Sequence, residues 1–129
     1  GSELFTAWVA ITDVTPKAGP MSFVKGSHRW GLVEGGDFYG DDLEIQKDQI
    51  EVPETDGWEE VEAVLSPGAL SLHDCLTLHG SRPNLSGGPR RSFAIHMRTS
   101  DSRPVDGKRE GLTRFIDNDD YCPVVYQDS

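Results

Sequence analysis

The sequence has no apolar run long enough to span a membrane, and its first residues lack the basic-then-apolar pattern of a secretory signal. Its 2 cysteines, Cys75 and Cys122, can pair only once and have no metal-knuckle spacing. We read them as reduced thiols of a cytoplasmic protein. Basic residues are scarce: 12 Lys and Arg face 22 Asp and Glu, a formal net charge of −10. That balance argues against a nucleic acid or an anionic membrane as partner. There is no G-x-S-x-G nucleophile elbow and no G-x-x-x-x-G-K-[ST] loop; Gly87-Gly88-Pro89-Arg90 lacks the lysine. No internal repeat is visible.

What is present fits one domain spanning all 129 residues. The acidity is local. Between Glu34 and Glu62 there are 12 acids and 1 base, whereas the remainder holds 10 acids and 11 bases. We read 34–62 as an acidic loop insert, solvated rather than a lid, with one helical turn near Asp41–Asp48. The 14 glycines and 8 prolines cluster between short apolar stretches, the texture of an all-β chain with many turns.

Three stretches alternate with the period of a strand. In Phe5–Asp13, Phe5, Ala7, Val9 and Ile11 share one face, and Thr6, Trp8, Ala10 and Thr12 the other. From Leu70 to His79 the even positions are leucines broken by Asp74, and the odd positions include Ser71, His73 and His79. After a turn-rich loop, Phe93, Ile95 and Met97 oppose Arg90, Ser92, Ala94, His96 and Arg98. Shorter strands are expected at Met21–Val24 and Glu59–Leu65, and an edge strand at Tyr121–Tyr126. The polar faces either meet water, as antiparallel sheets allow, or line a polar pocket if the sheet curls. Trp8, the histidines and an arginine are costly choices for a merely solvated face.

His79 and Arg90 flank what reads as a hairpin loop, so both can point into one space. A neutral imidazole there can bind a divalent metal, and a guanidinium can grip a carboxylate through two parallel hydrogen bonds. Ser92, two residues on, adds a third donor. Metal plus carboxylate anchor is what a 2-oxoglutarate-dependent iron enzyme requires.

The runs Trp8-Val9-Ala10-Ile11-Thr12-Asp13-Val14-Thr15, Gly19-Pro20-Met21 and Lys25-Gly26-Ser27-His28-Arg29 resemble the first block of phytanoyl-CoA dioxygenase-like proteins. Pro67-Gly68-Ala69-Leu70-Ser71-Leu72-His73, His79-Gly80-Ser81, Pro83-Asn84 and Arg90-Arg91 resemble the second. The resemblance covers roughly Thr6 to His96. It implies a double-stranded β-helix, or jelly roll, that binds Fe(II) and 2-oxoglutarate and hydroxylates a small organic substrate while 2-oxoglutarate is decarboxylated to succinate. On this resemblance His79 is a metal ligand, Arg90 pairs with the far carboxylate of 2-oxoglutarate with help from Ser92, and Trp8 lines the cosubstrate pocket. His73, on the same face as His79, would contact substrate, and Ser27 and His28 would shape a loop.

The family's other two ligands come from a His-x-Asp/Glu motif upstream of the strand carrying Trp8, and this sequence contains none. His73-Asp74 cannot replace it, since adjacent strand residues point to opposite faces. The expectation is therefore the C-terminal part of a dioxygenase jelly roll, inactive by itself, with homo-oligomerisation through exposed sheet edges. The alternative is a jelly-roll module without a metal centre that binds a small molecule or partner.

Overall fold

The computed structural model describes residues 3–33, 43–53, 57–104 and 107–127. Six strands form two antiparallel three-stranded sheets. β1 (Leu4–Ala10), β2 (Met21–Val24), β3 (Glu60–Glu62), β4 (Leu70–Asp74), β5 (His79–Ser81) and β6 (Ser92–Arg98) follow in chain order, with one helix, α1 (Leu43–Gln49), between β2 and β3. The first sheet has the order β4-β1-β6 and the second β3-β2-β5. This is the all-β, partial jelly-roll arrangement that the alternation and the resemblance imply. No described helix is long and apolar enough to cross a membrane.

Register fixes which side chains share a face, because directly opposed residues in an antiparallel pair point the same way. In the first sheet Thr6 lies between His73 and His96, and Trp8 between Ser71 and Ala94, while Ala10 opposes Ser92. In the second sheet Phe23 lies between Val61 and His79. The core sits between the sheets: Trp8, Ala10, Val14 and Met21 are buried, with Phe23, Ala63 and Leu65 packed on them. Beyond Ala10 the chain bends away, and Val14 exchanges both backbone hydrogen bonds with Leu65, at 2.8 and 3.1 Å.

The run Leu70–His79 is not one strand. It ends at Asp74, whose Oδ1 accepts from Leu76 N at 2.8 Å while its carbonyl accepts from Thr77 N at 3.0 Å. That tight turn carries the chain from the first sheet to the second, where β5 pairs with β2. An aspartate inside an otherwise apolar alternation is the signature of such a turn. His79 and Arg90 therefore do not flank a hairpin: β5 and the incoming β6 belong to different sheets.

The predicted edge strand at 121–126 also does not form. Tyr121 N and Cys122 N both bond Asn118 O, and Tyr121 stacks on Phe115 at 4.9 Å, so the tail curls on itself before Pro123, which has no amide proton to donate. Asp117 holds this tail to β6 by accepting from Arg98 Nη2 at 2.6 Å and from Arg109 Nε at 2.9 Å. Within 34–62, residues 34–42 and 54–56 lie outside the described ones; α1 is longer than the single expected turn, and the segment ends in β3, inside the short strand expected at Glu59–Leu65.

Two local features hold the second sheet. Gly19 has φ 65°, and a Cβ there would run into the carbonyl oxygen of Arg82, so only glycine lets β2 enter beside the chain leaving β5. Ser27, fully buried, donates to Val24 O and accepts from Leu78 N, both at 2.8 Å. It ties the end of β2 to the approach of β5 and shapes the loop, as its place in the motif implies.

Candidate active site

The inner faces of the two sheets bring His73 and His79 together from opposite sides, whereas Trp8, Arg90 and Ser92 do not line the cavity beside them. His73 from β4 and His79 from β5 have ring centroids 4.8 Å apart, and Phe23 of β2 lies 4.8 Å from the first and 5.8 Å from the second. A cavity of about 570 Å³ opens here, with Phe23, Val61 and Ala63 on one side and Ser71 and His73 on the other. Lys25, Glu62 and Asp74 also line it, so no single sign of charge dominates.

Hydrogen bonding fixes the state of His79. Its Nδ1 lies 2.7 Å from the carbonyl oxygen of Thr77, which can only accept. Nδ1 therefore carries a proton, so in the neutral ring Nε2 is the nitrogen with the lone pair, the second-shell arrangement of a metal-binding imidazole. His73 is different. Burial, followed by the neighbouring charges of His79 and His96, holds its imidazole below the ordinary value of 6.5. His73 Nδ1 is buried without a partner among the described residues, as is Ser71 Oγ. His96 is anchored by Thr6 Oγ1, 2.9 Å from its Nδ1.

Arg90 and Ser92 lie on the same inner face of the first sheet. The ladder extends past β6, since Arg91 O accepts from Ile11 N at 2.9 Å and Arg91 N donates to Thr12 Oγ1 at 2.9 Å. Alternation then places Arg90 two residues before Ser92 on the face of Trp8. Arg90 is half-buried and its Nη1 is buried without a partner among the described residues. A guanidinium nitrogen withdrawn from water with nothing to donate to suits an incoming carboxylate. Trp8 itself is 8% exposed and belongs to the core between the sheets.

An imidazole held through Nδ1 has the chemistry to bind a metal through Nε2, and a half-buried guanidinium has the chemistry to grip a carboxylate. Among the described residues no group of three or more His, Cys, Asp and Glu converges to hold a metal ion. Asp74 is committed to Leu76 N, as noted above. Sequence reasoning missed Phe23 as the ring that packs under both histidines. Its signal was the alternation of Met21 and Phe23 against Ser22 in a run too short to weigh.

The chain is similar to known proteins over most of its length. The sequence profile of phytanoyl-CoA dioxygenase (PhyH) matches residues 1–92. Ectoine dioxygenase of Sphingopyxis alaskensis is 29% identical over 102 residues, covering 71% of this chain and 33% of that protein. The chain thus spans about a third of the curated relative it matches. Among solved structures, the non-heme monooxygenase ThoJ superposes with a TM-score of 0.61 at 28% identity, over 86% of this chain and 38% of its own. The non-heme alpha-ketoglutarate-dependent carbocyclase SnoK of nogalamycin biosynthesis superposes with a TM-score of 0.57 at 27% identity, over 79% of this chain and 38% of its own.

Proposed function

Since this chain belongs to the phytanoyl-CoA dioxygenase family, whose members use Fe(II) and 2-oxoglutarate, we propose that its inner faces are the cosubstrate half of a hydroxylase site acting on a small organic substrate. The observation that supports this reading is that, within the family's motif, His79 Nδ1 is held by Thr77 O so that Nε2 can face a metal, while Arg90 Nη1 is buried without a partner among the described residues. His79 would hold iron, with Thr77 O fixing its tautomer. Arg90 would take the distal carboxylate of 2-oxoglutarate, Ser92 adding a hydroxyl donor and Trp8 an apolar wall that excludes water. His73 would border the substrate. Bound iron supplies the oxygen chemistry that no side chain performs; the chain orients the cosubstrate and keeps the pocket dry. The 129 residues form one domain in this reading, with 34–62 as an acidic insert whose last residues form β3, and the two exposed cysteines suit a reducing cytoplasm.

Titration of the chain with 2-oxoglutarate in the presence of Mn(II) tests the assignment. Arg90→Ala is expected to weaken 2-oxoglutarate binding about 10-fold or more, since hydrogen bonds to charged groups contribute about 1.5–3 kcal/mol. His79→Gln is expected to remove the metal-dependent part of the binding. If both variants bind as the unmodified chain does, the reading fails. The outer face of the first sheet leaves Leu70, Leu72, Phe93 and Ile95 exposed by 49–66%, which supports self-association through that sheet. A monodisperse monomer in light scattering would exclude it.

A further inference from the structure

The buried polar atoms that hold neither metal nor cosubstrate point to what the cavity receives. Ser71 and His73 are two residues apart on β4, so their side chains share the inner face and their α-carbons stand about 7 Å apart. Ser71 Oγ and His73 Nδ1 are both withdrawn from solvent and unpartnered among the described residues, and both residues line the cavity between the sheets. A buried polar atom left alone keeps the full cost of its desolvation. Two such atoms side by side on one cavity wall are best explained by a ligand that satisfies both.

Their chemistry narrows that ligand. A hydroxyl donates one hydrogen bond and accepts others, and a neutral imidazole offers one donor and one acceptor, so neither atom demands a charged partner. The charged lining residues are of both signs, and Lys25 is already paired with Glu59 at 3.2 Å. On the side of β2 and β3 the lining is Phe23, Val61 and Ala63, which offer apolar surface, with Lys25, His28 and Glu62 beside them. A ring with adjacent hydroxyls on one edge and C–H groups on its face matches both walls. Two hydroxyls one carbon–carbon bond apart, each reaching outward by a hydrogen bond of about 2.8 Å, span the separation of the two residues.

Resting on the cosubstrate reading above, we propose that Ser71 and His73 are specificity-determining residues that bind a vicinal diol on a neutral, cyclic polyol-like substrate, with Phe23 beneath the ring. His73 lies against the metal-ready His79, so the bound ring is held beside the metal position.

The test uses cis-1,2-cyclohexanediol as probe and the chain labelled at its histidine imidazoles, followed by NMR. The diol is expected to shift the His73 imidazole and Ser71 amide signals saturably, and cyclohexanol to bind at least 5-fold more weakly. His73→Phe keeps the ring against Phe23 and removes the nitrogens; Ser71→Ala removes only a hydroxyl and guards against misfolding of the first variant. Each is expected to weaken the diol at least 5-fold, whereas Leu70→Ala, on the opposite and exposed face, leaves it unchanged. Equal binding of diol and cyclohexanol, or diol binding that survives both substitutions, overturns the site even when 2-oxoglutarate binds as expected. Failure of 2-oxoglutarate to bind the unmodified chain overturns the underlying reading of the pocket, whatever the diol does.

Discussion

The two sheets reach the site by different means. The first is built on 7-residue strands, β1 and β6, paired along their whole length, and it displays Ser71, His73, Arg90 and Ser92 by plain alternation. The second has strands of only 3 and 4 residues, too short for the ladder alone to fix a side chain. There His79 is set by Gly19, Ser27 and the turn at Asp74. The difference teaches that one half of the site is robust and the other depends on a few backbone contacts, so the halves can be disturbed separately.

The largest separation is expected from Gly19→Ala. A left-handed backbone and a Cβ against the Arg82 carbonyl should cost about 2–3 kcal/mol. Chemical denaturation would show the loss, and hydrogen exchange would show it concentrated in β2 and β5 while β1 and β6 stay protected. Ser27→Ala should follow at about 2 kcal/mol, because Val24 O and Leu78 N each lose a buried partner; uniform loosening of both sheets would contradict the division. Asp74→Ala should cost about 1 kcal/mol through the lost turn bond, and should shift the His79 imidazole signals more than those of His96.

Acid should discriminate more gently. Glu60 of β3 accepts from Trp58 Nε1 and Ser22 Oγ and lies 3.9 Å from Arg82, and the indole bond above all holds its carboxyl below the ordinary value of 4.5. A carboxyl with a lowered folded value stabilises fully above the unfolded value and loses that contribution as pH falls through the folded one. The second sheet should therefore loosen below pH 4.5 before the first does, by less than about 1 kcal/mol given the partly solvated carboxylate. Amide exchange across that range measures it.

This contrast also marks how much was legible in the sequence. Alternation put Trp8 with Thr6 and Ala10 on one face of its strand, and Arg90 with Ser92, Ala94 and His96 on one face of theirs; the register then sets Trp8 against Ala94, Ala10 against Ser92 and Thr6 against His96. The motif residues implied the jelly roll before any strand was seen. Between Leu70 and His79 periodicity misled, because a strand pattern survives a turn that carries the chain to another sheet. Only Asp74 marked the break. The packing of Phe23 under two histidines is a contact across both sheets, and no local period encodes such a contact. The edge strand at 121–126 failed for a related reason: an apolar run needs a sheet edge to join, and Asn118 captured its first amides instead.

The central claim is that one site is assembled from both sheets, and paramagnetic broadening by Mn(II) in the presence of 2-oxoglutarate tests it most directly. The account predicts simultaneous loss of signals from His73 on the first sheet and from Phe23 and His79 on the second, abolished by His79→Gln. Broadening confined to one sheet, or to the acidic segment 34–62, would contradict it.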